Sequence, residues 1–258
     1  MQAEKICEMF MPPDFFRSNA QELKSALNVH LSANKILDKA PKALIACMPK
    51  SGSTWFTMLL EQSLGIPAVR SYLQPDRNEQ EIDSLELFQS LGREVLFVQQ
   101  HVKASETLLR LCRSFSVKIV FLTRCIDDAI VSFRDHLESE STVASMFYME
   151  DDWFRCLSKN HQFDFLVDHC VPWYLNFVVG WVRAQQLHPD MVFHLRYEEL
   201  IKNPSSSLTE VLRFLGRSGQ MDATIFEKSS GTRFNQGRVG RGKEELSDFQ
   251  LQRIKALA

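Results

Sequence analysis

The chain has 258 residues, of which 45% are apolar and 24% are charged, and its formal net charge is −2. This composition excludes a disordered, collagen-like or coiled-coil chain, and it is typical of a globular protein that is long enough to bury a sizeable core. Because the charge is nearly balanced, no overall positive field indicates nucleic acid or an anionic membrane as a partner.

Apolar runs that alternate with helical periodicity define the predicted fold. Four runs predict buried strands, at 43–48, 95–98, 117–123 and 191–195. Strands that alternate with helices form parallel sheets covered on both faces. The sequence therefore predicts one α/β domain, over residues 41–258, with a central parallel sheet of about five strands flanked by helices. Residues 1–40 are expected to form an arm and a helix that pack on this domain.

Several helix boundaries and irregular segments follow from local signals. A polar segment at 139–162 is predicted to be irregular, as a lid or insertion, before a long helix at about 163–186. Asn203 precedes a proline and is predicted to cap a helix. The Gly- and Arg-rich segment 231–243 is predicted to be a loop, and Ser247 opens a capping box with a glutamine three residues later.

Cysteine usage and hydropathy indicate the cellular compartment in which the protein is expected. The six cysteines include no C-x-x-C pair, and several lie inside apolar runs, which suits a reducing compartment. The longest apolar run is far shorter than the roughly 20 residues of a spanning helix, and no signal-peptide pattern opens the chain. We therefore expect a cytoplasmic protein without membrane insertion.

The strongest functional signal is the segment Pro-Lys-Ser-Gly-Ser-Thr-Trp at 49–55, between a predicted strand and a predicted helix. Such a turn presents backbone N–H groups, hydroxyls and a lysine at a helix N-terminus, where the helix dipole favours an anion such as phosphate. It is not a Walker A loop, because Lys50 precedes the glycine instead of following it. The structural alternative is an ordinary polar turn with a surface lysine.

Two further signals lie at predicted strand ends. Arg124 follows the strand at 117–123, and Ser132 lies eight residues later, about 120° from the apolar stripe of the next helix, so its hydroxyl is predicted to be outside the packed face. His101 is the second signal, and it follows the strand at 95–98. Each of these residues alone also fits a purely structural role.

Segment 49–55 resembles the 5′-phosphosulfate loop of the sulfotransferase family, and Arg124 with Ser132 resembles the 3′-phosphate motif of that family. The resemblance spans about residues 41–256 and implies a P-loop-like phosphosulfate-binding loop and the cofactor 3′-phosphoadenosine-5′-phosphosulfate (PAPS). It implies that Lys50 neutralises the leaving phosphate and that His101 is the general base. The implied roles of the loop are phosphate binding by Ser51, Gly52, Ser53 and Thr54, and adenine stacking by Trp55.

The later motifs resemble the family less completely. Tyr197 matches a tyrosine that reaches the adenine. The segment 237–243 resembles the G-x-x-G-x-W-K loop over the 3′-phosphate, but a glycine, Gly242, stands in the place of the tryptophan. The resemblance assigns Gly240 to the cofactor. Arg238 and Arg241 could supply the charge that is missing from this loop, because guanidinium groups suit phosphate.

The resemblance implies a small-molecule acceptor, and aromatic residues near 147–153 and Trp173 predict that it is apolar or aromatic. Gln99 stands where many family members carry a lysine, so a catalytically silent nucleotide-binding protein is one alternative. An ATP-dependent small-molecule kinase is the other. No metal is expected, because the His, Asp and Cys residues at 161–170 match no zinc or calcium spacing. A homodimer is left open.

Overall fold

A computed structural model describes residues 36, 38–66, 68–70, 80–139, 146–147, 149, 151–217 and 238–258. The predicted arm at 1–40 therefore lies almost wholly outside the described residues.

The centre of the fold is a fully parallel sheet. Its strands are β1 (Lys42–Cys47), β2 (Ala68–Val69), β3 (Val95–Gln100), β4 (Val117–Thr123) and β5 (Val192–Arg196). They are hydrogen-bonded in the order β2-β3-β1-β4-β5. The central strand β1 is buried at all six positions, as expected for a continuous apolar run covered on both faces. The prediction of a five-stranded parallel sheet is confirmed.

Helices connect these strands and cover both faces of the sheet. The described residues contain α1 (Ser53–Leu64), α2 (Ser84–Gln89), α3 (Glu106–Ser114), α4 (Ile126–Ser139), α5 (Asp151–Cys156), α6 (Lys159–Leu187), α7 (Tyr197–Lys202), α8 (Pro204–Phe214), α9 (Arg241–Glu245) and α10 (Asp248–Leu257).

The core is divided by the sheet into two clusters. Because side chains alternate along a strand, Leu44 of β1 packs with α4 and α6 on one face, and Ile45 packs with α1 and α8 on the other. Phe56 on α1 and Trp181 on α6 are fully buried in the two clusters. Each large apolar side chain removed from water contributes about 1.5–3 kcal/mol, so this two-sided packing holds the sheet between its helices.

The strand order creates a crevice at the carboxyl edge of the sheet. The chain leaves β1 toward β2 at one side of the sheet, and it leaves the adjacent strand β4 toward β5 at the other side. In open α/β sheets, ligands bind in the crevice outside the carboxyl ends of strands whose connections diverge in this way. The turn after β1 and the residue after β4 therefore lie where a ligand is expected.

Several local predictions are corrected by the structure. The segment 139–162 is not wholly irregular, because it includes α5 and the start of α6, which Ser158 caps. The predicted loop at 231–243 contributes its last residues to α9. Asn203 occupies the cap position of α8, but its side chain makes no capping hydrogen bond. The capping box at Ser247 is confirmed with both of its hydrogen bonds.

A half-buried histidine on β5 should make stability depend on pH. His194 stacks on Phe121 with ring centroids 4.2 Å apart, and its Nε2 lies 2.8 Å from the hydroxyl of Thr123. Burial, reinforced by the charge of Arg196, lowers the pKa of His194 to about 4. The unfolded chain, with an ordinary histidine pKa of about 6.5, therefore binds more protons between pH 6.5 and 4, and stability falls as the pH falls through that window.

We expect the urea midpoint to be lower at pH 5 than at pH 7, and we expect His194→Gln to reduce this difference. His161→Gln, which removes an exposed histidine, is the control for the loss of one imidazole. An unchanged pH dependence in His194→Gln would contradict the prediction.

Candidate functional site

Four of the residues singled out from the sequence lie at the carboxyl ends of four adjacent strands. Because all the strands are parallel, these ends share one edge of the sheet. Along that edge the structure places His101 after β3, Lys50 after β1, Arg124 after β4 and Tyr197 after β5.

The turn between β1 and α1 is tightly folded. The backbone N–H of Met48 donates to the carbonyl of Leu122 on β4 (3.1 Å), which holds the start of the turn against the sheet. Ser51 donates to the carbonyl of Met48 through both its N–H (3.1 Å) and its hydroxyl (2.6 Å). Lys50 and Gly52 have φ angles of 64° and 83°, in the left-handed region. The turn therefore curls back on itself before α1 begins.

Gly52 is required by the close approach of an aromatic ring. A Cβ atom at this position would lie 2.6 Å from ring atoms of Tyr197, far inside van der Waals contact. Gly52 is also the N-cap residue of α1, and it provides no side-chain cap. The N–H groups of a helix's first turn lack partners within the helix, so an uncapped N-terminus favours an anion.

Arg124 links the turn to the later part of the chain. Its Nη1 donates to the carbonyl of Lys50 (3.2 Å), and its Nη2 donates to the carbonyl of Arg238 (3.1 Å). The guanidinium lies over the ring of Tyr197, 4.5 Å from the centroid. Arg124 is only 9% exposed, and its Nε has no hydrogen-bond partner among the described residues. A buried cation with an unused donor is suited to receive an anion.

The hydrogen bonds of His101 define its tautomer. The ring Nδ1 lies 2.8 Å from the carbonyl oxygen of Cys47, which can only accept, so Nδ1 carries the proton and Nε2 carries a lone pair. The backbone N–H donates to Oε1 of Gln80 (3.0 Å). Burial lowers the pKa of His101 to about 4; the bond to Cys47 opposes this effect and the charge of Lys50 adds to it. The imidazole is therefore neutral near pH 7.

Asp128 anchors the segment 238–243, called the late loop from here on. Its two carboxylate oxygens accept from the backbone N–H groups of Gly240 (2.8 Å) and Gly242 (2.7 Å), and it is 1% exposed. A Cβ atom on Gly242 would lie 2.5 Å from Cβ and 2.6 Å from the backbone carbon of Asp127. Glycine in the family's tryptophan position is thus explained by close packing of α9 against α4.

The two loop arginines pair with carboxylates. Arg238 forms an exposed ion pair with Glu244 (3.0 Å), so only its backbone carbonyl meets Arg124. Arg241 pairs with Asp135 on α4 (2.8 Å) and with Glu245 (2.7 Å). The guanidinium of Arg241 therefore ties α9 to α4, contrary to the expectation that it supplies charge toward a phosphate.

The remaining predicted residues differ in burial. Ser53 is half-buried, and its hydroxyl bonds to the thiol of Cys47. Thr54 is exposed, and the half-buried Trp55 of α1 packs against the core cluster that includes Ile45. Ser132 is 5% exposed on a helix that is buried at every position from 128 to 133. Ser132 is therefore more buried than its position off the apolar stripe of α4 indicated, and its contact with a ligand stays a prediction.

Sequence reasoning missed two residues that support the site. Asp128 gave no signal, because its partners lie more than a hundred residues away. Tyr174 on α6 is fully buried, and its hydroxyl donates to the carbonyl of Pro49 (3.3 Å). This bond joins α6 to the turn between β1 and α1. The aromatic composition of α6 was the one available signal for Tyr174, but it is equally typical of core packing.

Two features of the described stretches concern metal binding and membrane insertion. No group of three or more His, Cys, Asp or Glu side chains there is arranged to hold a metal ion. None of the described helices combines the length and the hydropathy needed to cross a bilayer.

Comparisons with known proteins agree with this architecture. The family model of the sulfotransferase domain matches residues 40–249. The crystal structure of mouse sulfotransferase SULT7A1 complexed with PAP superposes with a TM-score of 0.60 at 17% identity, and the match covers 88% of this chain and 86% of that one. Retinol dehydratase in complex with androsterone and inactive cofactor PAP gives a TM-score of 0.50 at 14% identity, covering 84% and 79%. Because the family model covers most of its length, the chain belongs to the sulfotransferase domain family.

Proposed function

We propose that the protein transfers a sulfuryl group from PAPS to a hydroxyl or amine of a small apolar or aromatic acceptor. The observation that carries the proposal is the convergence of Lys50, Arg124 and His101 around one turn. Arg124 bonds to the carbonyl of Lys50, the charge of Lys50 depresses the pKa of His101, and His101 bonds to the carbonyl just before the turn. A cytoplasmic location and a homodimer stay predictions.

The residues present fit a nucleotide that carries two separate phosphate groups. The uncapped N-terminus of α1 and the ammonium of Lys50 suit the 5′-phosphate. The buried guanidinium of Arg124, whose Nε has no partner in the part of the chain that the structure describes, suits the 3′-phosphate. Ser132 and the backbone of Gly240 are proposed contacts beside Arg124, and Tyr197 and Trp55 are proposed for the adenine.

The proposed mechanism uses His101 as the base and Lys50 as the electrostatic catalyst. When bound, PAPS supplies an activated sulfuryl group, and the electron pair of the broken sulfur–oxygen bond stays on the 5′-phosphate. The lone pair on Nε2 of His101 takes the proton of the acceptor hydroxyl, while the Nδ1–H bond to Cys47 fixes the ring. The ammonium of Lys50 stabilises the negative charge that develops on the phosphate.

Two departures from the family pattern change which residues supply positive charge in this site. With Gln99 in place of a lysine, stabilisation of the developing charge depends on Lys50 and backbone donors. With Arg241 held by Asp135, recognition of the 3′-phosphate depends on Arg124. A silent protein would bind the nucleotide without transfer, and a kinase would prefer ATP with magnesium.

The test compares 3′,5′-adenosine bisphosphate (PAP), the product that PAPS leaves after transfer, with AMP, which lacks the 3′-phosphate. Calorimetry should show that Arg124→Gln weakens PAP binding by about tenfold to a hundredfold, the value of a charge-assisted hydrogen bond, and weakens AMP binding much less. The wild type should bind PAP more tightly than ATP–magnesium and should sulfate a neutral phenol such as 2-naphthol. An equal loss for PAP and AMP would contradict the role of Arg124, and binding without transfer would favour the silent alternative.

A further inference from the structure

Helix α6 lies against the segment that follows His101. The indole N–H of Trp181 donates to the carbonyl of Val102 (2.9 Å), and a Cβ on Gly180 would be in ordinary contact with Ala104, 3.5 Å away. Seven residues before Trp181, Tyr174 bonds to the carbonyl of Pro49 in the phosphate-binding turn. This face of α6 therefore borders both the proposed base and the turn that carries Lys50.

Trp173 occupies this face with an unused donor. Its ring stacks on Phe177, with centroids 5.4 Å apart, and the side chain is only 7% exposed. The buried Nε1–H has no hydrogen-bond partner among the described residues, although a buried indole N–H normally has one. The ammonium of Lys103, two residues after His101, lies 5.5 Å from the centroid of the Trp173 ring.

The position of this pair in the sheet separates it from the nucleotide's 3′ side. Lys103 follows β3. Arg124, which bonds to the carbonyl of Arg238 in the late loop, follows β4 on the opposite side of β1. The turn with Lys50 lies between them. A molecule that approaches His101 from the β3 side therefore meets Lys103 and Trp173, and it does not have to pass Arg124.

We propose that Trp173 Nε1–H and the Lys103 ammonium form a polar corner of the acceptor site that binds a carboxylate carried by the acceptor. An aromatic acid with a phenolic hydroxyl is the acceptor class that fits. An indole N–H and a cation are both donors, so a carboxylate satisfies the buried N–H and meets a positive charge, whereas a neutral apolar group does neither. The inference rests on the proposed function, because it assumes that the β3 side of His101 receives the acceptor.

The test uses two matched probes, 4-hydroxyphenylacetate and its methyl ester, in the presence of PAP. In protein labelled with ¹⁵N at the tryptophan indoles, with the Trp173 signal assigned from Trp173→Phe, the acid should shift the Trp173 N–H signal much more than the ester does. Lys103→Gln and Trp173→Phe should each weaken binding of the acid by about tenfold, the value of a hydrogen bond to a charged group, and change binding of the ester less than about twofold.

A matched control tests whether these losses are specific. Lys118→Gln removes another lysine that lies over an aromatic ring, 4.9 Å from the centroid of Phe214. This control should not alter the preference for the acid. An unmoved Trp173 signal, or equal losses for acid and ester, would overturn the polar corner.

The same probes separate this inference from the proposed function. With PAPS, transfer to the ester without any preference for the acid would support the sulfotransferase activity and overturn the polar corner. Binding of the acid that shifts the Trp173 signal, together with no transfer to either probe, would support the carboxylate site and overturn the proposed activity.

Discussion

His101→Asn should lower kcat for sulfuryl transfer by about 10²- to 10⁴-fold, the usual contribution of a positioned general base. An asparagine amide can still donate to the carbonyl of Cys47, so the variant removes the basic Nε2 and keeps a hydrogen bond to that carbonyl. PAP affinity, measured by calorimetry, should change little. His188→Asn, at the C-terminal end of α6, is the control.

The pH profile adds a second readout for His101. Because the pKa of its imidazole is about 4, we expect kcat/KM to fall below about pH 5, not below the ordinary histidine value. The charge of Lys50 contributes to this low pKa, so in Lys50→Met, assayed at high enzyme concentration, the acid limb should move to higher pH. An acid limb near pH 6.5 in the wild type, or a kcat unaffected by His101→Asn, would show that another group is the base.

Asp128→Asn should release the late loop and weaken PAP binding by about tenfold to a hundredfold. The carboxylate accepts two backbone N–H bonds, from Gly240 and Gly242, and each hydrogen bond to a charged group contributes about 1.5–3 kcal/mol. An asparagine can accept only one of them and turns an NH₂ toward the other. Hydrogen exchange should therefore accelerate at residues 238–246, and calorimetry should show the loss of PAP affinity.

Asp127→Asn is the matched control for this prediction. It keeps the Cβ and backbone atoms that pack against Gly242, and it leaves the carboxylate of Asp128 in place. Exchange at 238–246 should then stay close to that of the wild type. Unchanged exchange and affinity in Asp128→Asn would mean that the ion pair between Arg241 and Asp135 is enough to hold the loop.

The sequence predictions are confirmed where a pattern depends on neighbouring residues, and an element is missed where it depends on residues far away in the chain. The strand at 117–123 and the helix around Ile130 were predicted because their apolar periodicity is local, and the structure confirms both. The capping box at Ser247 is likewise local, since its partners are three residues apart. The short helix α9 was missed, because it is held by Asp128 and Asp135 from another helix and not by its own periodicity.

The amino-acid sequence by itself determined the parallel α/β fold, the turn with Lys50 and the strand ends that carry His101 and Arg124, because periodicity and turn chemistry depend on neighbouring residues. Only the tertiary structure decided which tautomer His101 adopts, what Arg124 contacts and how Asp128 holds the late loop. Those contacts join residues 54, 74 and 112 positions apart, and they depend on the depth of burial and the direction of side chains, which no local pattern encodes.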